Sequence, residues 1–132
     1  MDLKDLTPTS DDIVVELTHP STGEKLFSED KKPMTITLYA PHSKEYKKVI
    51  HEQTNKRLKV VNKTGKLDIT SEELEENTLS LMASITKSWD ITFDKEKPEC
   101  TYDKALTMYE EVFWIKPQLD NAVESYLGFM QG

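Results

Sequence analysis

The sequence lacks the features on which most catalytic and secreted proteins depend. It has one cysteine, Cys100, and so cannot form an internal disulfide bond. Its four glycines stand apart from one another, which leaves no Gly-rich loop to hold phosphate. The three histidines, His19, His42 and His51, never have the i, i+4 spacing that places two metal ligands on one helical face. These absences predict a protein that is not an enzyme and that has no metal or cofactor.

Long apolar runs are also missing. The longest uncharged stretches, such as residues 77–86, are far shorter than the roughly 20 residues needed to cross a bilayer, which predicts no membrane span. Residues 1–10 include acids and have no apolar core of a signal peptide. We therefore expect a cytosolic protein.

Charge is plentiful but unevenly distributed. The 132 residues include 24 acids and 17 bases, for a net charge of -7. Residues 44–66 contain eight bases and two acids, whereas residues 68–76 contain five acids and no base. A net-acidic chain whose basic stretch has no interleaved aromatics is a poor nucleic-acid binder. The basic stretch, with Lys47, Lys48 and Arg57, predicts either a solvated helix face or a patch that docks a partner.

Alternating apolar residues in the first part of the chain predict strands. Residues 13–17 and 34–38 each place their apolar side chains on one face. Turn-forming residues at 19–23 separate them, and a weaker strand at 25–27 would complete a small meander. So small a sheet is stable only when its apolar face packs on helices.

Capping residues then mark the helices. Ser43 is a predicted N-cap whose helix Gly65 would stop, and Thr70 is the predicted N-cap of a second helix. A third helix is expected to begin near Thr101, and Pro117 suits the first turn of a fourth. The second helix is predicted to run on to Trp89 as the most buried element. The expected core residues are Leu74, Leu81, Ile85, Trp89 and Phe113.

These elements together predict an α+β fold that is mainly helical. A small N-terminal antiparallel β-hairpin or meander would be followed by about four α-helices. We expect a single domain over residues 13–132, preceded by a mobile tail of residues 1–12.

Aromatic residues are concentrated in the C-terminal part of the chain. Trp114 directly follows Phe113 and cannot easily share its face, which predicts that Trp114 is an exposed anchor for another protein. Residues 126–130, which include Tyr126 and Phe129, are similarly apolar for a chain end. Trp114, Tyr126 and Phe129 are therefore predicted to contact a partner.

The order of three further segments is distinctive. Residues 38–43 (LYAPHS) follow the strands, residues 81–89 (LMASITKSW) end in a tryptophan, and residues 114–123 (WIKPQLDNAV) precede the final Phe129. In this order the segments resemble the tail assembly chaperones of long-tailed bacteriophages. The resemblance spans roughly residues 13–129.

The resemblance implies a non-enzymatic chaperone in the bacterial host cytoplasm that is absent from the mature virion. Such a chaperone binds the tape-measure protein and assists polymerisation of the tail tube around it. In that family a longer form, made by a programmed ribosomal frameshift, often recruits the tail-tube protein. The oppositely charged segments also predict a weak homo-oligomer. The alternative is a small acidic inhibitor or immunity protein that covers a basic partner surface.

Overall fold

Three strands and four helices make up the part of the chain that the structure, a computed structural model, describes: residues 12–28, 30–65 and 70–131. Side chains are described for the same residues except 60, 64 and 127–131. The predicted α+β class is confirmed. The elements in chain order are β1 (Asp12–Glu16), β2 (Thr35–Tyr39), α1 (Lys44–Thr64), α2 (Ser71–Ser84), β3 (Thr86–Asp90), α3 (Tyr102–Glu111) and α4 (Ile115–Gln131). The tail predicted for residues 1–12 lies outside the described residues apart from Asp12, which begins β1.

The three strands form one antiparallel sheet in the order β1-β2-β3. Val15 of β1 lies opposite Ile36 of β2, and Ile36 in turn lies opposite Trp89 of β3. The strand predicted at residues 25–27 is wrong: Lys25 and Phe27 form only isolated bridges. The third strand comes instead from the chain that follows α2.

The predicted continuation of the second helix to Trp89 is also wrong, because α2 ends at Ser84. The hydroxyl of Thr86 donates to the carbonyl of Met82 at 2.7 Å, so this carbonyl is satisfied without a further helical turn. The chain then pairs with the otherwise open edge of β2 as strand β3. Trp89 stays close to the core, and its indole N–H donates to the carbonyl of Pro98 at 2.9 Å.

The predicted helix boundaries are otherwise confirmed. Ser43, Thr70 and Thr101 each accept a hydrogen bond from the backbone N–H three residues later, at 3.1 to 3.2 Å. Gly65 follows α1 with a φ of 71°, in the left-handed region where glycine has no steric penalty. Pro117 lies in the first turn of α4. Local sequence signals therefore set the starts of α1, α2 and α3 and the end of α1.

The core lies between the sheet and helices α2, α3 and α4. Ile85 is buried there, and Leu81 and Trp89 are half-buried against it, as predicted. The core assignments of Leu74 and Phe113 are wrong, since these side chains are 50% and 77% exposed. Leu74 lies in the first turn of α2, where every residue is exposed, and Phe113 lies in the link between α3 and α4, outside any helical stripe. The buried apolar residues that pack into one cluster are Val15, Leu17, Ile36, Leu38, Met82, Ala83, Ile85, Ile91, Ala105, Met108, Tyr109, Ile115 and Leu119.

Helix α4 is joined to the chain just after β1. The side-chain amide of Gln118 accepts a hydrogen bond from the backbone N–H of Thr18 and donates one to its carbonyl, both at 2.9 Å. The amide thus makes the two hydrogen bonds that a neighbouring strand would make with Thr18. It satisfies two backbone groups that would otherwise need water. This contact fixes the start of α4 beside the sheet.

Candidate partner-binding surface

The link between α3 and α4 decides which aromatic ring faces solvent. Val112 leaves the helical conformation, with φ -101° and ψ 71°, and its carbonyl then accepts from the N–H of Ile115 at 3.0 Å. This tight link sends Phe113 and Trp114 in different directions. Trp114 is half-buried against the core, whereas Phe113 is 77% exposed. The two residues do not share a face, as predicted, but the exposed ring is that of Phe113, and the prediction of an exposed Trp114 is wrong.

Phe113 borders a groove between α2, α3 and the start of α4, which we call the Phe113 groove. Its volume is about 340 Å³. Leu79, Pro117 and the ring of Tyr109 provide its apolar walls. The full lining is Glu75, Thr78, Leu79, Tyr109, Glu110, Phe113, Lys116, Pro117 and Asp120.

Carboxylates from three different helices surround the groove. Glu75 belongs to α2, Glu110 to α3 and Asp120 to α4. The only base in the lining, Lys116, donates to Asp120 at 2.7 Å in an i, i+4 pair on α4. Because this pair is internally compensated, the groove keeps the negative charge of Glu75 and Glu110.

The predicted basic residues lie elsewhere, on α1. Lys47, Lys48 and Arg57 are all exposed, and Leu58 beside Arg57 is 53% exposed. Within the described part of the chain, no salt bridge joins a lysine or arginine of α1 to a carboxylate. Helix α1 therefore has an exposed basic face, and both readings that the sequence allows, a solvated face and a patch that docks a partner, stay open.

The C-terminal aromatics are only partly described. The Tyr126 hydroxyl lies 2.6 Å from Nδ1 of His42, and the two rings stack with their centroids 5.8 Å apart. Tyr126 thus attaches α4 to the loop before α1. The side chain of Phe129 lies outside the described residues.

Among the predicted partner-binding residues whose side chains are described, Lys48 and Trp114 do not share one surface. Lys48 lines a different cleft, beside Tyr39 and Tyr102, and Trp114 is turned inward. Sequence reasoning missed the Phe113 groove, because its carboxylates converge only through the packing of three helices. One signal was available: of two adjacent aromatics before the helix start at Ile115, one has to point outward.

His19 has a structural role, and Cys100 is partly shielded from solvent. His19 Nδ1 accepts from the backbone N–H of Ser21 at 3.1 Å and of Thr22 at 3.3 Å, which stabilises a turn. Burial raises the pKa of the Cys100 thiol, so the thiol stays protonated and is a poor nucleophile. Among the described residues, no group of three or more His, Cys, Asp or Glu side chains could hold a metal ion.

Comparisons with protein-family models, with curated proteins and with solved structures give no match to this chain. No helix in the described ranges has both the length and the apolar character needed to span a bilayer. A functional proposal therefore depends on the geometry of the surface and on the order of the sequence segments.

Proposed function

We propose that this protein is a phage tail assembly chaperone. It acts in the bacterial host cytoplasm, binds the long helical tape-measure protein and assists polymerisation of the tail tube, without becoming part of the mature virion. The observation that carries the proposal is the exposure of Phe113 beside an apolar groove formed by three helices. One exposed aromatic ring alone would be ordinary, but a ring that borders a groove with apolar walls supports a surface that binds another protein.

The order of the sequence segments supports the same proposal separately. Residues 38–43 join β2 to α1, residues 81–89 pass from α2 into β3, and residues 114–123 begin α4. These segments contribute buried residues to one core, including Leu38 and Ile85. The segments that carry the resemblance thus build the core, and residues 114–123 also supply Lys116, Pro117 and Asp120 to the Phe113 groove.

The proposed role needs no catalytic step. Tape-measure proteins expose apolar helical faces before assembly, and a soluble acidic module that covers such faces prevents their aggregation. The tail-tube protein would be recruited through a longer frameshifted form, as the resemblance implies.

Co-expression tests the proposal. The protein is produced with the tape-measure protein encoded near it, and soluble complex is isolated through a tag on the tape-measure protein. We expect co-purification with the unchanged protein and with Phe93→Ala, a control for loss of an exposed aromatic elsewhere on the surface. Phe113→Ala should lose most of the complex. A tape-measure protein that stays soluble and alone would contradict the proposal.

The alternative function is an acidic inhibitor or immunity protein. The carboxylates of Glu75, Glu110 and Asp120 around one groove favour it, because they would complement a basic active site. The test is inhibition of an enzyme encoded beside this protein, measured with and without Glu75→Gln and Glu110→Gln. Stable binding to a tape-measure protein together with no inhibition would reject this alternative.

A further inference from the structure

We infer that the Phe113 groove binds a cationic amphipathic helix, in which a large apolar side chain is flanked by lysine or arginine. The inference deepens the proposed function and rests on it, because it states the chemistry of the partner segment that the chaperone would cover. It concerns a surface that, among the described side chains, neither the predicted basic residues nor Tyr126 line.

The apolar part of the groove favours a large side chain from the partner. Phe113 and Pro117 lie on one side, and Leu79 lies on α2 across from them. An inserted apolar side chain would cover the Phe113 ring, which is the most exposed large apolar group that the structure describes. This insertion removes apolar area from water on both partners.

The walls of the groove favour a helix over an extended strand. The groove is formed by α2, α3 and α4, and no strand of the sheet contributes to its lining. An extended peptide would therefore find no strand edge with which to form backbone hydrogen bonds, whereas a helix needs none from its partner. Side-chain ridges of a helix can instead pack between those of the existing helices.

The charge around the groove favours a partner helix with basic residues. The carboxylates of Glu75 and Glu110 approach the groove from two helices without a compensating base in its lining. Lysine or arginine on either side of the inserted apolar residue would lie near them, whereas glutamate there would be repelled. Helix α1 of the protein itself has this pattern, since exposed Leu58 lies between Arg57 and Lys59 in the sequence. A second copy's α1 is therefore the main competing occupant.

Two synthetic helical peptides test the inference. They share one apolar face and differ only in flanking residues, lysine in one and glutamate in the other. Binding to the full-length protein is measured by fluorescence anisotropy. We expect the lysine peptide to bind about tenfold more tightly, and its affinity to fall as salt rises from about 0.05 M to about 0.5 M.

Matched variants locate the binding site. Glu75→Gln with Glu110→Gln should remove most of the preference for the lysine peptide. Glu96→Gln with Glu99→Gln removes the same charge from exposed positions outside the groove and should leave the preference unchanged. Phe113→Ala should weaken both peptides by a similar factor. Circular dichroism of each variant verifies that the fold is intact.

The possible contrary results distinguish failure of the inference from failure of the proposed function. Equal affinity for the two peptides, or a preference unaffected by the groove variants, would overturn the inference while co-purification with the tape-measure protein still supported the proposed function. A second copy of the protein would be the occupant if Phe113→Ala abolished self-association and the peptide bound only after the oligomer dissociated. That result would also overturn the inference. Tight binding of the lysine peptide in the groove without any tape-measure complex would support the site and reject the proposed function.

Discussion

The hydroxyl oxygens of Thr86 and Tyr109 lie 2.6 Å apart within the core. The Thr86 oxygen is also 2.7 Å from the carbonyl oxygen of Met82, which can only accept. Thr86 has a single hydroxyl proton and gives it to Met82, so Tyr109 is the donor to Thr86. This short chain of hydrogen bonds joins the end of α2 and the start of β3 to α3.

A Tyr109→Phe variant should become less sensitive to alkali. Burial raises the pKa of Tyr109, so the folded protein keeps the phenol neutral at a pH where the unfolded chain, with a pKa of about 10, ionises. The stability from this group is complete below the unfolded pKa and is lost as pH rises toward the folded pKa. Urea unfolding at about pH 8 and about pH 10.5 measures the loss, which should be smaller in the variant. An equal loss in both proteins would mean that Tyr109 is not shielded from water.

Replacement of Trp89 should cost more stability than replacement of a helix cap. Trp89→Ala opens a cavity beside the core and removes the donor to Pro98, at an expected cost of about 3–5 kcal/mol. Thr70→Ala removes the cap of α2, at about 1 kcal/mol. Chemical denaturation compares the two free energies of unfolding. If Trp89→Ala is the milder change, the Trp89 side chain does not pack against the core.

The exposed apolar residues should contribute little to stability. Leu74→Ala and Phe113→Ala are expected to change the free energy of unfolding by no more than about 0.5 kcal/mol, because both side chains are largely in solvent. Leu119→Ala, at a fully buried position, should cost about 2–5 kcal/mol. Thermal melts of the three variants provide the comparison. A strongly destabilised Phe113→Ala would place this ring in the core.

Self-association, if it occurs through charge, should be weak and sensitive to salt. Helix α1 presents Lys56 and Arg57 to solvent, while the first half of α2 presents Glu72 and Glu76. Contacts between these faces of two copies would be screened at high ionic strength. Sedimentation at high protein concentration should show oligomers at low salt that dissociate in 1 M salt and that Lys56→Glu with Arg57→Glu prevents. Oligomers that persist in 1 M salt would indicate an apolar interface instead.

Much of the fold could be predicted because its signals are local. Ser43, Thr70 and Thr101 each act as an N-cap within three residues of the group they satisfy, and Gly65 ends a helix by its own backbone conformation. Strand β3 could not be predicted in this way. Leu81, Ile85 and Trp89 keep helical spacing, and only the pairing of β3 with β2, far away in sequence, overrides it.

The candidate site was harder to predict than the fold. The aromatic pair before α4 indicated that one ring would point outward, but the sequence does not specify which, since that depends on the backbone at Val112. Glu75, Glu110 and Asp120 each look like an ordinary surface acid. Their shared position around one groove results from the packing of α2, α3 and α4 and has no signal in any single segment.

The pairing of Thr18 with Gln118 has a consequence for synthesis on the ribosome. The two residues are separated by 100 positions, so the backbone groups of Thr18 must remain hydrated until α4 has been translated. At about 5–20 residues per second, the N-terminal hairpin waits roughly 5–20 seconds for this partner. During that interval the nascent chain exposes apolar side chains that belong in the core, and α4 encloses them once it has emerged.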